Sequence, residues 1–290
     1  MKVAKKMRRH YGIDISVSSA RTITLHHAEK IEALSVPSPA GRETFADTLI
    51  VETDGSLVPC VRMDEAADDR RKTRKSEWRE VKLCLARQPE KVSPVFAITT
   101  GGPDAAGQLL EEAARRAGLN QTTWVHGIGD GAPWIVNQMD LRFGTQGRYL
   151  VDFYHVCEYL AAAAPVCAQD SRTWLHQQQE RLKTNEVQTV LKTLLPHVEP
   201  IEQEGKHPQP VRQAHQYLSN RLQHLDYKGA LERGLPIGSG EIESGHRQVV
   251  QKRIKRPGAW WLFDNAGAMA NMIAARLNGV WDSYWKIVAV

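Results

Sequence analysis

The chain changes its hydrophobic period part-way along, and that change limits the folds open to it. Residues 48–53, 56–63, 78–85 and 94–99 are short apolar or alternating runs, separated by turn-forming or charged segments. The Asp54-Gly55 dipeptide reads as a hairpin turn between the first two. From Asp104 the period lengthens: a helix runs to Ala117, where Gly118 closes it. A strand over 122–127, a short helix from Ala132, a strand over 148–153 and an Ala-rich helix over 156–164 follow. Hairpins followed by strand–helix alternation predict an α/β protein with a mixed sheet flanked by helices.

The rest of the chain is arranged around that sheet. Residues 1–45 read as a basic helical region. It is either the later half of a helix-turn-helix or a packing arm, and a Pro/Gly/Ser-rich linker follows over 35–42. Residues 46–165 hold the first part of the core, and 166–235 form a helical insertion rich in Gln, Lys, Arg and His. Residues 236–290 return as two helices, 241–255 and 260–277, separated by Pro257-Gly258.

Composition excludes several classes. With 42% hydrophobic and 24% charged residues the chain is globular. No run approaches the roughly 18–20 apolar residues of a membrane span. The basic start lacks the apolar core of a secretion signal, so a cytoplasmic protein is expected. Cys60, Cys84, Cys157 and Cys167 lie far apart with no C-x-x-C pair, which fits reduced thiols better than a zinc site or a disulfide framework. The net charge of +5 suits a polyanion partner. Its distribution is more telling. From Ser244 to Phe263 no acidic residue occurs, whereas Arg247, Lys252, Arg253, Lys255 and Arg256 all do.

Four segments carry the candidate chemistry: Val51-Glu52-Thr53-Asp54-Gly55, Gly127-Ile128-Gly129-Asp130-Gly131-Ala132, Val151-Asp152-Phe153-Tyr154-His155 and Gly238-Ser239-Gly240-Glu241-Ile242-Glu243-Ser244. Each sets a carboxylate at the end of an apolar stretch or beside glycines. If the strands ending at Asp54 and Asp130 are neighbours, both carboxylates meet at one sheet edge, and Glu243 on a helix can complete a hard-oxygen site. Such a site suits Mg²⁺ or Mn²⁺, and a pair of these ions about 3.5–4 Å apart serves phosphoryl displacement. Asp152 is the main rival to Asp130, or else a helix cap. His155 suits a pocket wall better than a Mg²⁺ ligand. Arg247 and the cations from Lys252 to Arg256 are placed to grip a nucleic-acid backbone. Trp260 and Trp261 offer either a stacking surface or core packing.

Taken together, Thr53-Asp54-Gly55, Gly129-Asp130-Gly131-Ala132-Pro133-Trp134, Asp152-Phe153-Tyr154-His155, Gly238-Ser239-Gly240 with Glu243, and the Trp281 to Trp285 tail resemble bacterial insertion-sequence transposases with an Asp-Asp-Glu triad. The nearest pattern is the Kra-type subgroup, related to Mutator-like elements. The resemblance implies an RNase H-like core with an all-helical insertion before the final catalytic helix. It implies a triad of Asp54, Asp130 and Glu243, with Glu243 preferred to Glu241, holding two Mg²⁺ or Mn²⁺ ions. It further implies double-stranded DNA as partner (terminal inverted repeats and target), a homo-oligomer on DNA, and a place at the bacterial nucleoid. The alternatives are a structure-specific nuclease on the same core and a truncated DNA-binding remnant without catalysis, the latter suggested by the short region before residue 46.

Overall fold

The structure is a computed structural model that describes residues 2–33, 45–200 and 208–288. The linker expected over 35–42 lies outside the described residues. Two helices come first, α1 (Lys2–Tyr11) and α2 (Val17–Ala33), parted by Gly12 at φ +66°. α2 lies against two helices near the C-terminus: Ala28 is buried with Ala268 and Met269 of one, and His27 Nδ1 lies 2.6 Å from the Tyr284 hydroxyl of the other.

The sheet is built on β1 (Thr48–Arg62), which runs unbroken through Asp54-Gly55. The expected hairpin turn is therefore absent. The partner of β1 is β2 (Lys75–Arg87), paired antiparallel from Ile50↔Arg87 to Arg62↔Lys75, with Asp54 opposite Leu83 and Gly55 opposite Lys82. Asp-Gly favours a turn only where no longer ladder competes. Here Val58, Cys60, Val81, Leu83 and Leu85 bury a continuous apolar face on both sides of the dipeptide, and Gly55 does not take a positive φ. Its small size still matters, because a Cβ there would meet the Glu80 carboxylate at 2.2 Å. Pro59 is tolerated because its carbonyl, and with it the nitrogen that lacks a hydrogen, points to the edge away from β2. There it accepts from Trp261 N at 3.2 Å.

β3 (Val95–Thr99) pairs antiparallel with β2. α3 (Pro103–Ala117) follows and is closed, as expected, by Gly118 at φ 114°. β4 (Trp124–Gly129), α4 (Pro133–Phe143), β5 (Gly147–Val151) and α5 (Phe153–Cys167) complete the alternation. The strand order is β3-β2-β1-β4-β5, with β4 parallel to β1 and β5 parallel to β4. Three antiparallel strands joined to two parallel ones, with helices on both faces, make an RNase H-like core.

Between α5 and the last part of the chain the described residues are helical: α6 (Ser171–Lys183), α7 (Val187–Leu194), α8 (Pro210–Ser219) and α9 (Tyr227–Glu232). They share one apolar core with α3, α4, α5 and that side of the sheet. On the other face α10 (Gly240–His246) widens into a π-helical turn over Arg247–Gln251, and α11 (Phe263–Leu277) and α12 (Trp281–Val288) follow. Ile242, Val249, Val250, Ile254 and Ala266 seal that face against Leu83, Leu85, Phe96 and Ile98. All four cysteines are free thiols, three of them buried. No helix among the described residues is long and apolar enough to cross a membrane.

One carboxylate joins the sheet to α10. Asp152 follows β5 directly and is buried. Its Oδ1 accepts from Tyr154 N (2.6 Å) and His155 N (3.0 Å), capping α5, while its Oδ2 accepts from Ser239 N (2.6 Å) and the Ser239 hydroxyl. Phe153 N donates to Ile237 O at 2.8 Å beside it. Removing the acceptor takes away the α5 cap, about 1 kcal/mol, and leaves the part-buried Ser239 amide and hydroxyl without their acceptor at about 1 kcal/mol each. Asp152→Ala should therefore lower unfolding free energy in urea by about 3 kcal/mol; a loss below about 0.5 kcal/mol would show that the join is not needed.

Candidate metal and nucleic-acid site

The acidic motifs meet at one end of the parallel strands. Glu52 of β1 pairs with Ile128 of β4, and Gly129 of β4 pairs with Val151 of β5. Two residues past the first pair come Asp54 and Asp130, and one residue past the second come Asp130 and Asp152. The three aspartates thus stand at one level across neighbouring strands, just where the β4 and β5 ladders end. Strand spacing of about 4.8 Å makes the backbones of adjacent members near neighbours.

Asp54 projects from the face of β1 that α10 covers. Its Oδ1 accepts from Gly55 N at 2.7 Å, and its Oδ2 lies 3.3 Å from Nε2 of the buried His246. Neither ring nitrogen of His246 has a hydrogen-bond partner among the described residues, so the approach to Asp54 is an ion-pair contact rather than a completed hydrogen bond. Asp130 is exposed at the tip of β4, and its Oδ1 accepts from Ala132 N at 2.8 Å. The backbone around it is clamped by the helical insertion. Tyr217 of α8 donates to Asp130 O, Arg221 Nε donates to Gly131 O at 3.0 Å, and Gly131 N donates to the Tyr149 hydroxyl at 2.9 Å. Gly131 takes φ +77°, and a Cβ there would meet Arg221 Nε at 2.4 Å.

The two glutamates of α10 part company. At about 100° per residue, side chains two apart diverge by about 200° around the helix. Glu241 goes to the flank of β2 and binds Arg87 Nε through both oxygens, at 2.8 and 2.6 Å. Glu243 stays on the other flank with its side chain 65% exposed, 3.7 Å from Arg247. Asp152 has both oxygens filled by donors, which makes it an organiser of the site rather than an open ligand. His155 stands apart in a cluster with Tyr159, Tyr217 and Glu158. Among the described residues no three acidic, histidine or cysteine side chains are gathered closely enough to enclose a metal ion. Asp54 and Asp130 nonetheless suit Mg²⁺ in chemistry, since that ion keeps several waters and takes one or two carboxylates plus substrate phosphates rather than a closed protein cage.

The cations divide as well. Arg247, Lys252, Arg253 and Arg256 are exposed, and Lys255 Nζ reaches Ser56 Oγ at 3.1 Å, two residues from Asp54 on β1. Arg253 and Arg256 also line a groove with Val3, Val17 and Arg21 of the N-terminal helices.

Sequence reasoning passed over several of these residues. Tyr149, Tyr217, Arg221 and His246 lie far from the acids they serve along the chain, and no local pattern marks them; Ser239 stood in the Gly238-Ser239-Gly240 motif, but its bond to Asp152 did not show. Glu52 had a signal, being a carboxylate inside an apolar run. It is 1% exposed, on the same strand face as Asp54, and its Oε2 accepts from Ile242 N at 2.7 Å while Oε1 has no hydrogen-bond partner. Burial pushes its carboxyl up to about 8, with the nearby Glu241 and Asp152 adding to the rise and the Ile242 amide and Arg87 opposing it.

A scan of family models places residues 48–287 in an uncharacterised protein family, UPF0236, and the chain belongs to that family. No curated protein matches it. Among solved structures, the Drosophila P element transposase strand transfer complex is similar over 99% of this chain and 85% of that one, at 12% identity and a TM-score of 0.29. A likeness that slight carries no inference about chemistry.

The state of Glu52 has a measurable consequence. Between its ordinary value of 4.5 and about 8 the folded protein holds a proton that the unfolded chain has released, so stability falls as pH rises through that window. The contribution approaches about 1.4 kcal/mol per pH unit. Urea unfolding from pH 5 to 8 should show Glu52→Gln losing this downward slope relative to wild type, with the greatest gain in stability at pH 8. Parallel curves for the two proteins would contradict it.

Proposed function

We propose that this member of UPF0236 is a metal-dependent enzyme acting on DNA, a transposase that cleaves a phosphodiester to free a 3′-hydroxyl and joins that hydroxyl to target DNA. The observation that carries the reading is the level alignment of Asp54 and Asp130 on adjacent parallel strands, beneath a helix that presents Glu243 and leads into a run of cations. Within this class the motif set favours the Kra-type, Mutator-related subgroup. Its DNA partners would be the terminal inverted repeats and the target, engaged by a homo-oligomer in the bacterial nucleoid.

Each group has a role that follows from its place. Asp54 and Asp130, with Glu243 turning from Arg247, would hold Mg²⁺ or Mn²⁺. When bound, such an ion supplies activation of the attacking oxygen and neutralises charge on the phosphate. His246 limits the orientations open to the Asp54 carboxylate. The Tyr149, Tyr217 and Arg221 clamp fixes the Asp130 loop, so little reorganisation is needed when a phosphate arrives. Arg247, released as Glu243 turns, is positioned for the phosphate nearest the site. Lys252, Arg253, Lys255 and Arg256 bind the backbone without reading sequence.

The test uses labelled DNA carrying the sequences that flank the gene, with Mg²⁺ or Mn²⁺. Wild type should nick the ends and give joined products. Asp54→Asn, Asp130→Asn and Glu243→Gln should each lower cleavage by about a hundredfold or more while keeping the wild-type melting profile. Retention of wild-type cleavage by all three would overturn the site assignment. Nicking without joined products would reduce the reading to a nuclease.

A further inference from the structure

A groove of about 410 Å³ lies between the N-terminal helices and the cationic segment that follows α10. α2 lines it with Val17, Ala20, Arg21, Thr24 and Leu25, the spacing of one helical face. Val3 of α1 adds a wall, and Val3 and Val17 are both more than half exposed. The floor is firm, because Leu25, Trp261 and Met269 belong to the apolar cluster that seats α2 on α11. Two guanidiniums enter from the core side. Ile254 is fully buried, its N donates to Val250 O (2.8 Å), and its carbonyl accepts from Trp261 Nε1 (3.0 Å). Arg253 and Arg256 flank that anchor in the chain and line the groove with Arg21, whereas Lys255 leaves it for Ser56 Oγ.

The lining selects the occupant. No acidic residue lines the groove, and none of the three guanidiniums has a hydrogen-bond or ion-pair partner among the described residues. Thr24 has already given its hydroxyl to Ala20 O at 2.7 Å. The polar side chains on offer are therefore three cationic forks, whose geometry matches phosphate oxygens. Like charges gathered about one concavity repel until an anion enters. A bare phosphate would satisfy them but leave the apolar walls in contact with water. Size narrows the choice further. The groove falls within the roughly 300–1,000 Å³ of small-molecule sites, whereas a stable protein partner covers about 800 Å² on each side. A base on a sugar phosphate meets both demands, with charge for the arginines and a flat apolar body for the floor.

We propose that this groove is a nucleotide-binding site, with the phosphate held by Arg21, Arg253 and Arg256 and the base seated against Leu25, Trp261 and Met269. A free nucleotide and an unpaired nucleotide of a DNA strand present the same chemistry to it. The inference shares with the function proposed above only the assignment of Arg253 and Arg256 to phosphate, and it needs neither metal nor cleavage. Because α1 and α2 form one side and the segment from Arg253 to Trp261 the other, an occupant ties the N-terminal helices to the core.

Titration calorimetry on the full chain in EDTA tests it, with thymidine 5′-monophosphate, a thymidine tetranucleotide, deoxyribose 5-phosphate and inorganic phosphate as probes. A nucleotide probe should bind about fivefold or more tightly than the two probes that lack a base. Arg21→Gln should weaken all binding by about tenfold or more, whereas Ala20→Phe, which fills the apolar half, should weaken the nucleotide probes alone. Binding of the monophosphate supports a site open to free nucleotides, and binding of the tetranucleotide alone supports one that takes a nucleotide within a strand. Equal affinity for nucleotide and inorganic phosphate would overturn the proposal, as would wild-type affinity in both variants or no binding of either nucleotide probe. Preference for an acidic amphipathic peptide over the nucleotides would also overturn it, giving the groove to a protein partner. Nucleotide binding without DNA cleavage in Mg²⁺ would keep the groove assignment and remove the catalytic reading, and cleavage without nucleotide binding would do the reverse.

Discussion

The carboxylate of Asp152 is where the sheet, the insertion and the last helices are joined. Its position directly after β5 gives it two jobs that one buried group can do only if four donors reach it, and they do: two amides of α5, and the amide and hydroxyl of Ser239. A buried carboxylate with fewer partners would cost more than it stabilises. Because Ser239 immediately precedes α10, this one side chain fixes where that helix starts. From that start, Ile242 comes to lie over Glu52 and His246 over Asp54 one turn later. The register of the acidic helix on the sheet therefore depends on an aspartate that is not itself placed to hold a ligand.

The helical insertion acts on the other side of the same edge. It shares the core of α3 to α5, and it sends Tyr217 and Arg221 to the backbone on either side of the Asp130–Gly131 bond. Asp130 is thus exposed on a loop that cannot wander, while Asp54 is supported from beneath by a buried histidine. The buried Glu52 adds a layer of low polarity under this edge. Kept protonated by burial, it accepts from the Ile242 amide without placing a second negative charge two residues from Asp54. The sheet edge so carries charge where solvent and a phosphate can reach it, and little where they cannot.

Much of this order was legible in the chain. The shift in hydrophobic period gave the mixed sheet, and Gly118 and Gly131 stand where left-handed backbone is required. Asp54 and Asp130 were recognisable as strand-end acids, although Asp54 turned out to lie within a strand. The Asp54-Gly55 dipeptide misled because a local turn preference of about 1 kcal/mol cannot compete with a thirteen-pair ladder packed under α10 and α11. Glu241 and Glu243 were separable by helical geometry alone, but the partner of Glu241, Arg87, was not, because it is 154 residues away. The same distance problem hid His246 from Asp54 and Arg221 from Gly131. Tryptophan pairing across β2 and the segment before α11 was invisible for that reason too: adjacency of Trp260 and Trp261 suggested a shared fate, and the bridge to β1 gives them different ones.

On the function proposed above, Asp54 and Asp130, set level by the β1–β4 register, would form one divalent-cation site on the surface of the sheet. Mn²⁺ binding followed by electron paramagnetic resonance, on the full chain without DNA, tests it most directly. The expected result is saturable Mn²⁺ binding, competed by Mg²⁺, that weakens by about tenfold or more in both Asp54→Asn and Asp130→Asn. Wild-type Mn²⁺ affinity in both variants would contradict the claim.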